Sequence, residues 1–444
     1  MDAREVALLT LNACERQGGW SDGVLKKQIA AAGLDSRDAG LATQLCFGVI
    51  QNRILLDFYL SKFSNIPLRR LEGKVLQALR LGLYQMLFLT RIPHSAAVDQ
   101  SVALTRAHCK NPRAPGMVNA ILRNLERSLD RLPTIPEDDP AEYYATLYSH
   151  PVWLVRELLE TLGSEGTAAF LQADNSQPPI TAMVNTVKTD LEGALEALQA
   201  EGVHGEPHPW LKNCLVLSRS GSLEELDAFQ NGLFYVQDPA SRLAVLALDP
   251  EPGDRVLDMC AAPGGKSFAA AIQMKDQGEI WSCDLHPHKK TLIQKGAQRL
   301  GLTCIRPQTA DGKVRRPEWE GAFDRVLVDA PCSGLGVIRK KPDIRFKDPE
   351  PLAGLPQVQS AILDNAAGYV KPGGVLVYST CTILERENRE VTDAFLAAHP
   401  EFRRESFLLP GPAGEVPGGQ ITLWPQVHGT DGFYICKLRK DGEA

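Results

Sequence analysis

From about Gly232 onward, short and strongly apolar runs alternate with helical stretches, and each run leads to a residue able to do chemistry. Arg255-Val-Leu-Asp258 ends in a carboxylate, Ile280-Trp-Ser-Cys-Asp284 in a second, and Val326-Leu-Val328 in Asp329. Val375-Leu-Val377 leads to Cys381, and a weaker run around Cys304-Ile305 leads to Asp311. Apolar runs without polar alternation are what strands buried on both faces of a parallel sheet look like. Strands of this kind alternating with helices specify a doubly wound α/β sheet. Such a sheet binds its ligand in the crevice beyond the C-terminal ends of its strands. This segment therefore delivers a row of carboxylates, and the thiols of Cys332 and Cys381, to one edge.

The preceding residues have a different texture. In 1–132, the stretches Asp38–Ile50 and Leu71–Leu89 carry apolar side chains at i, i+3, i+4 spacing, with breakers at Pro67, Pro93 and Pro112–Pro115. That pattern predicts an all-α domain of short-linked helices. Leu132–Pro140, with three prolines and an acid cluster, reads as a linker. Residues 141–231 mix helical pieces (Trp153–Leu162, Asp190–Ala200) with strand-like ones (Thr181–Asn185, Cys214–Leu217), predicting a small α+β subdomain. Residues 232–440 form the α/β domain.

Composition narrows the class. No stretch reaches the ~18 apolar residues of a membrane helix, and the start lacks a secretion signal's basic-then-apolar order. Ten cysteines without paired spacing fit a reducing cytoplasm better than a disulfide framework or a zinc site, so no metal is expected. A monomer is the expectation. The net charge of −6 hides an asymmetry: residues 1–130 carry 17 Lys/Arg against 11 Asp/Glu, and residues 131–245 carry 6 against 17. A basic N-terminal region is compatible with RNA or DNA contact confined to one face, and equally with a merely solvated surface.

The first turn of the α/β segment is Asp258-Met-Cys260-Ala261-Ala262-Pro263-Gly264-Gly265-Lys266-Ser267. Its small residues let backbone approach a ligand, and the helix start that follows offers free N–H groups. It fits neither Gly-x-Gly-x-x-Gly nor Gly-x4-Gly-Lys-Ser/Thr, which sets nicotinamide and nucleoside-triphosphate readings aside. Asp284 lies 26 residues beyond Asp258, where a ribose-binding acid belongs. With Asp311 and Asp329 at further strand ends, a nucleoside-type cofactor is indicated. Cys332, in Asp-Ala-Pro-Cys-Ser-Gly, and Cys381, in Tyr-Ser-Thr-Cys-Thr, lie too far apart for a Cys-x-x-Cys redox pair. They suit a reaction needing a nucleophile and a second proton-handling group. Arg339-Lys340-Lys341-Pro-Asp-Ile-Arg345-Phe346-Lys347 combines basic side chains with an aromatic. Bases can stack on Phe346 or a guanidinium while lysines meet phosphate, and a solvated charged loop is the competing reading. The thiols of Cys14, Cys46, Cys109, Cys260, Cys283 and Cys304 read as small buried groups.

Asp258–Lys266, Asp-Ala-Pro-Cys-Ser-Gly and Tyr-Ser-Thr-Cys-Thr together resemble the Sun-type RNA 5-methylcytosine methyltransferases. Gln237-Asp-Pro-Ala-Ser241 and Gly429-Thr-Asp-Gly-Phe433 resemble that family's flanking motifs, and the all-α domain, with Gly116-Met-Val-Asn-Ala-Ile-Leu-Arg123, resembles the NusB RNA-binding domain. A NusB-like domain on such a catalytic domain is similar to the bacterial members that methylate 16S rRNA at cytosine 967. Met259 and Leu335 depart from the usual leucine and threonine, and neither is a reacting group.

The resemblance implies a Rossmann-like domain that uses S-adenosylmethionine, with small-subunit rRNA as partner. It makes Cys381 the nucleophile and Cys332 the group that assists release of the adduct. By residues alone that order stays open, because DNA cytosine methyltransferases place their nucleophile in a Pro-Cys motif. Backbone from Cys260 to Lys266 would cradle the methionine and ribose portions, Asp284 would take the ribose hydroxyls, and Asp311 would lie near the adenine. Lys266 or the sulfonium would favour the thiolate, and a protonated Asp329 in an apolar setting would meet the cytosine edge at N3. The same motifs serve tRNA or 23S rRNA equally well, and a NusB-like domain also suits a non-catalytic RNA-binding or assembly protein.

Overall fold

A computed structural model describes residues 1–17, 21–218 and 221–442. The chain divides into two units: Met1–Ser176 with Lys340–Lys347, and Gln177–Arg339 with Asp348 to the C-terminal end.

The first unit is helical throughout, and the predicted breakers act where expected. Pro93 directly precedes the helix His94–His108, and Pro115 lies in the first turn of Ala114–Glu126. Both are places where a missing N–H costs nothing. The helix Gly73–Phe88 is buried on every side from Val75 to Met86, so it forms the centre rather than an amphipathic wall. Leu45, Leu79, Val98 and Leu122 meet around it. Gly48 faces Tyr84 so closely that a Cβ there would lie 2.0 Å from the ring. Arg80, 4% exposed on this helix, is neutralised by Asp57 at 2.7 Å and Glu15 at 3.1 Å.

The basic stretch after Cys332 is largely built into this unit instead of forming a free loop, which removes Arg345 and one face of Phe346 from the predicted RNA contacts. Arg345 is fully buried. Its Nη1 donates to the carbonyls of Gln51 (2.6 Å) and Ser149 (2.9 Å), and its Nη2 to Asn175 Oδ1 (3.1 Å). A guanidinium's planar fork suits three acceptors converging from separate elements. Burial pulls its pKa down to about 10, which leaves it charged at neutral pH. The guanidinium of Arg53 covers the Phe346 ring at 3.3 Å. Lys341 remains exposed and Lys340 half-buried.

The second unit contains both main sheets. Its strands, in chain order, are β1 (Ile180–Val184), β2 (His204–Pro207), β3 (Cys214–Ser218), β4 (Phe234–Val236), β5 (Arg255–Asp258), β6 (Glu279–Asp284), β7 (Ile305–Thr309), β8 (Phe323–Asp329), β9 (Val370–Thr380), β10 (Phe402–Arg404), β11 (Phe407–Leu408), β12 (Glu415–Val416), β13 (Gln420–Leu423) and β14 (Phe433–Lys440). The first four make an antiparallel sheet in the order β2-β3-β1-β4. With the helix Leu191–Ala200 it forms the expected α+β element. The large sheet runs β10-β14-β9-β8-β5-β6-β7, with β13 paired to β14. Strands β7, β6, β5, β8 and β9 are parallel, as their apolar runs required, while β14 enters antiparallel beside β9. The sheet is therefore mixed. Chain order steps outward from β5 to β6 to β7, then returns to β8 on the other side of β5, so the switch point lies between β5 and β8.

Arg345→Leu should destabilise the first unit by about 2–5 kcal/mol, because it leaves three converging acceptors without their donor. Urea denaturation followed by hydrogen exchange at Gln51–Ile54 and Ser149 checks this, and a wild-type midpoint would contradict the clamp.

Candidate active site

Asp258 and Asp329 end the two strands that flank the switch point, with Asp258 paired in register with Leu327. Between them lies a cavity of about 200 Å³ lined by Asp258, the turn residues Cys260, Ala261, Ala262, Pro263, Gly265 and Lys266, and Asp329. Val236, Gln237, Asp238 and Ser241 close its other side. Gly264 has φ +112° and takes the left-handed turn that launches the helix Gly265–Gln273. At Gly265 an added Cβ would press on Gln237 at 3.1 Å.

Lys266 Nζ donates to Asp329 Oδ2 at 2.7 Å, and Ser379 Oγ donates to Oδ1 at 2.9 Å. Burial works to lower the Lys266 pKa, but the charge and hydrogen bond of Asp329 outweigh it and hold the ammonium above its ordinary value. Asp329 does not sit in the apolar setting expected from the sequence: its immediate partner is a cation. Phe433 adds a ring face 5.1 Å from the same ammonium. Burial pushes Asp258 up to about 7 although Ser267 Oγ donates to its Oδ2 at 2.7 Å. Its Oδ1 is buried and has no hydrogen-bond partner among the described residues. An orphaned carboxylate oxygen facing a cavity is a ready acceptor for ligand N–H or O–H groups.

The two thiols meet. Cys332 Sγ and Cys381 Sγ are 3.1 Å apart, although 49 residues separate them in the chain. Strands β8 and β9 pair in parallel, with Asp329 opposite Ser379. The chain beyond each strand therefore leaves the same edge, and Ala330 N and Gly336 N donate to the carbonyls of Ser379 (2.9 Å) and Cys381 (3.0 Å). The hydrogen bond to Cys381, burial and nearby negative charge push the Cys332 thiol well above its ordinary pKa. Cys381 in turn acts electrostatically on Lys266.

Asp284 and Asp311 follow the neighbouring strands at the same edge. Asp284 is buried, accepts from His286 N (3.2 Å) and faces Lys289 at 3.5 Å, while Asp311 accepts from Lys313 N at 3.0 Å. Neither lines the cavity beside Lys266. Arg339, predicted as an RNA contact, is 5% exposed and pairs with Asp431 at 2.7 Å and Asp238 at 3.6 Å. It therefore joins the Asp238 and Asp431 motifs to each other instead of facing solvent. Beside it, Gly336 and Gly432 cross so closely that a Cβ on Gly336 would sit 1.9 Å from the Gly432 carbonyl oxygen. Ser241, Ser379 and Phe433 were missed as site residues. Each stood inside a quoted motif, but only the fold turns its side chain toward Lys266 or Asp329.

Three family matches cover most of the chain. Residues 245–439 match 16S rRNA methyltransferase RsmB/F, residues 1–127 match the NusB family, and residues 150–224 match a ferredoxin-like domain of RsmF/B-like methyltransferases. The "Probable ribosomal RNA small subunit methyltransferase B" of Bacillus subtilis (strain 168) is 40% identical, and the alignment spans 99% of each chain. The chain belongs to the RsmB/F family of 16S rRNA methyltransferases. Another relative, the ribosomal RNA small subunit methyltransferase B of Klebsiella pneumoniae, is 34% identical over 92% of this chain and 91% of its own. Among solved structures, that of PH0851 superposes with a TM-score of 0.80, at 26% identity and 99% coverage of both chains. NSun6 from Pyrococcus horikoshii with SFG, at 22% identity, covers 67% of this chain and all of its own with a TM-score of 0.58, which speaks to the shared fold.

Because Asp258 titrates near 7 when folded and near its ordinary 3.8 when unfolded, the folded state holds the extra proton between those values. Stability attributable to this carboxyl therefore falls as pH rises from about 4 to about 7 and levels off above. Urea midpoints of the wild type and of Asp258→Asn should diverge across that window, the variant gaining on the wild type as pH rises. A pH-independent difference would show that Asp258 is not the group responsible.

Proposed function

We propose that the protein transfers a methyl group from S-adenosylmethionine to carbon 5 of a cytosine in 16S rRNA through a covalent cysteine–cytosine adduct. The observation that carries this reading is the pair of thiols 3.1 Å apart beside the Lys266–Asp329 ion pair. The turn Cys260–Lys266, the orphaned Asp258 oxygen and the helix N-terminus at Gly265 suit a zwitterionic nucleoside ligand. Asp284 would hold the ribose hydroxyls and Asp311 would lie near the adenine. When bound, S-adenosylmethionine supplies an electrophilic methyl on a sulfonium.

Carbon 5 of cytosine is a poor nucleophile because its electrons belong to the ring. The Cys381 thiolate forms a bond to carbon 6, and the electrons of the 5,6 double bond become available at carbon 5. Lys266 favours that thiolate by its charge and, held by Asp329, keeps a fixed position. Asp329 presents its remaining acceptor capacity to the base edge. Once carbon 5 carries the methyl, a base removes its proton, the double bond reforms, and the Cys381 sulfur leaves. Cys332, already within hydrogen-bonding reach of that sulfur, assists the departure. The target base must leave its stack to reach the pocket, which favours a cytosine in a loop or single strand. Lys341 and Lys340 are the members of the basic stretch we assign to phosphate, and the basic 1–132 domain would hold neighbouring RNA with salt-sensitive affinity.

Methyl transfer from labelled S-adenosylmethionine to unmodified 16S rRNA, with the labelled base mapped, tests the reading. A single 5-methylcytosine, at position 967 by the resemblance, is the expected product. Label confined to another RNA would retain the chemistry and change the substrate, and no label on any RNA would remove the enzymatic reading. Cys381→Ala should abolish both turnover and adduct, whereas Cys332→Ala should accumulate a protein–RNA adduct that survives denaturing electrophoresis. The opposite pattern would reverse the two roles.

A further inference from the structure

The turn that carries Cys332 rests on a carboxylate with no place in the chemistry above. Glu387, in the short turn Glu385–Glu387, is fully buried. Its Oε2 accepts the peptide N–H of Ser333, the residue after Cys332, at 2.9 Å. The same oxygen accepts Nε2 of Gln359 at 2.8 Å, and that amide also donates to the carbonyl of Pro331, the residue before Cys332, at 3.0 Å. Both flanks of Cys332 are thus tied to one carboxylate–amide pair. Glu387 is itself held from β9, whose Tyr378 hydroxyl donates to its carbonyl at 2.7 Å.

This anchor contains more charge than the turn needs. Among the described residues the second oxygen, Glu387 Oε1, has no hydrogen-bond partner although it is buried, and the same holds for Gln359 Oε1. Burying an under-solvated carboxylate is costly, and a neutral amide at 387 would satisfy the Ser333 N–H equally well. Resting on the thiol roles proposed above, we infer that Glu387 is a positioning residue that decides which thiol keeps the proton. Its negative charge under the Cys332 turn retains Cys332 as the thiol and leaves Cys381 as the reacting thiolate. The charged surroundings are arranged to match. Cys332 feels Cys381, Glu387 and Asp329, with the Tyr378 phenol also near, and Cys381 interacts with the Lys266 cation. One proton leaves the pair to solvent, and the other stays on Cys332 Sγ, directed at Cys381 Sγ across 3.1 Å. That S–H then meets the sulfur when it departs from carbon 6, which is how Cys332 would assist release.

The experiment is limited alkylation of the full-length protein with iodoacetamide, each cysteine quantified by peptide mass spectrometry, in the absence of RNA and cofactor. Its outcome is therefore independent of whether methyl transfer is found. Wild-type protein should be modified at Cys381 in preference to Cys332 at pH 7. Glu387→Gln keeps an acceptor for the Ser333 N–H and the Gln359 amide, so the anchor persists without its charge. That variant should reduce the Cys381-to-Cys332 ratio by about tenfold, the equivalent of one pKa unit. An unchanged ratio in a variant that melts like wild type would overturn the inference. Should the variant fail to fold, the wild-type ratio still decides, because preferential modification of Cys332 is incompatible with a proton held there.

Discussion

The ion pair between Lys266 and Asp329 bridges the two strands at which the chain order of the sheet reverses. Lys266 comes from the turn after β5 and Asp329 from the end of β8, and their 2.7 Å contact ties the walls of the crevice together. The rest of the site refers to this pair. Ser379 fixes the second oxygen of Asp329 from β9, Phe433 faces the ammonium from β14, and Cys381 lies within its field. A buried pair of this kind contributes little net stability, because desolvation offsets most of its Coulombic gain. What it contributes is placement: a cation held at one point, beside a thiol whose anion it favours.

In the proposed reaction the thiol pair extends the same logic. A lone cysteine at neutral pH is only a few per cent thiolate, and a pocket that would cycle between attack and release would benefit from a second sulfur that holds a proton nearby. Parallel pairing of β8 with β9 is what lets two cysteines 49 residues apart touch. An antiparallel return would have sent the second one to the opposite edge of the sheet.

Much of this was legible before any coordinates. The runs ending at Asp258, Asp284 and Asp329 are strands of the parallel sheet, and the Ala-Ala-Pro-Gly-Gly turn opens a cavity at the switch point. Within the basic stretch 339–347, Arg339 and Arg345 depart from the expected solvent-facing role, for a definite reason. Charge counts treat Arg as solvated, yet a guanidinium has five donors in a plane and suits a cluster of backbone carbonyls, which is where Arg345 lies. Arg339 met two carboxylates, Asp238 and Asp431, 101 and 92 residues away in sequence, a coincidence no local pattern records. Glu387 was invisible for the opposite reason. It sits in the charged run Glu385–Glu390, which reads as a solvated face, and only packing shows that one member points inward.

The sequence by itself determined the element types and the chemistry available, because apolar periodicity and motif composition are local properties. It also determined that carboxylates and thiols would gather at one sheet edge, since parallel strands all present their C-terminal ends together. Only the tertiary structure decided which of these groups are neighbours. Strand order set Asp258 between Asp329 and Asp284 and left Asp311 further along the edge. Packing of distant segments chose which charges were buried against partners. Both are non-local, and so belong to the fold rather than to any stretch of residues.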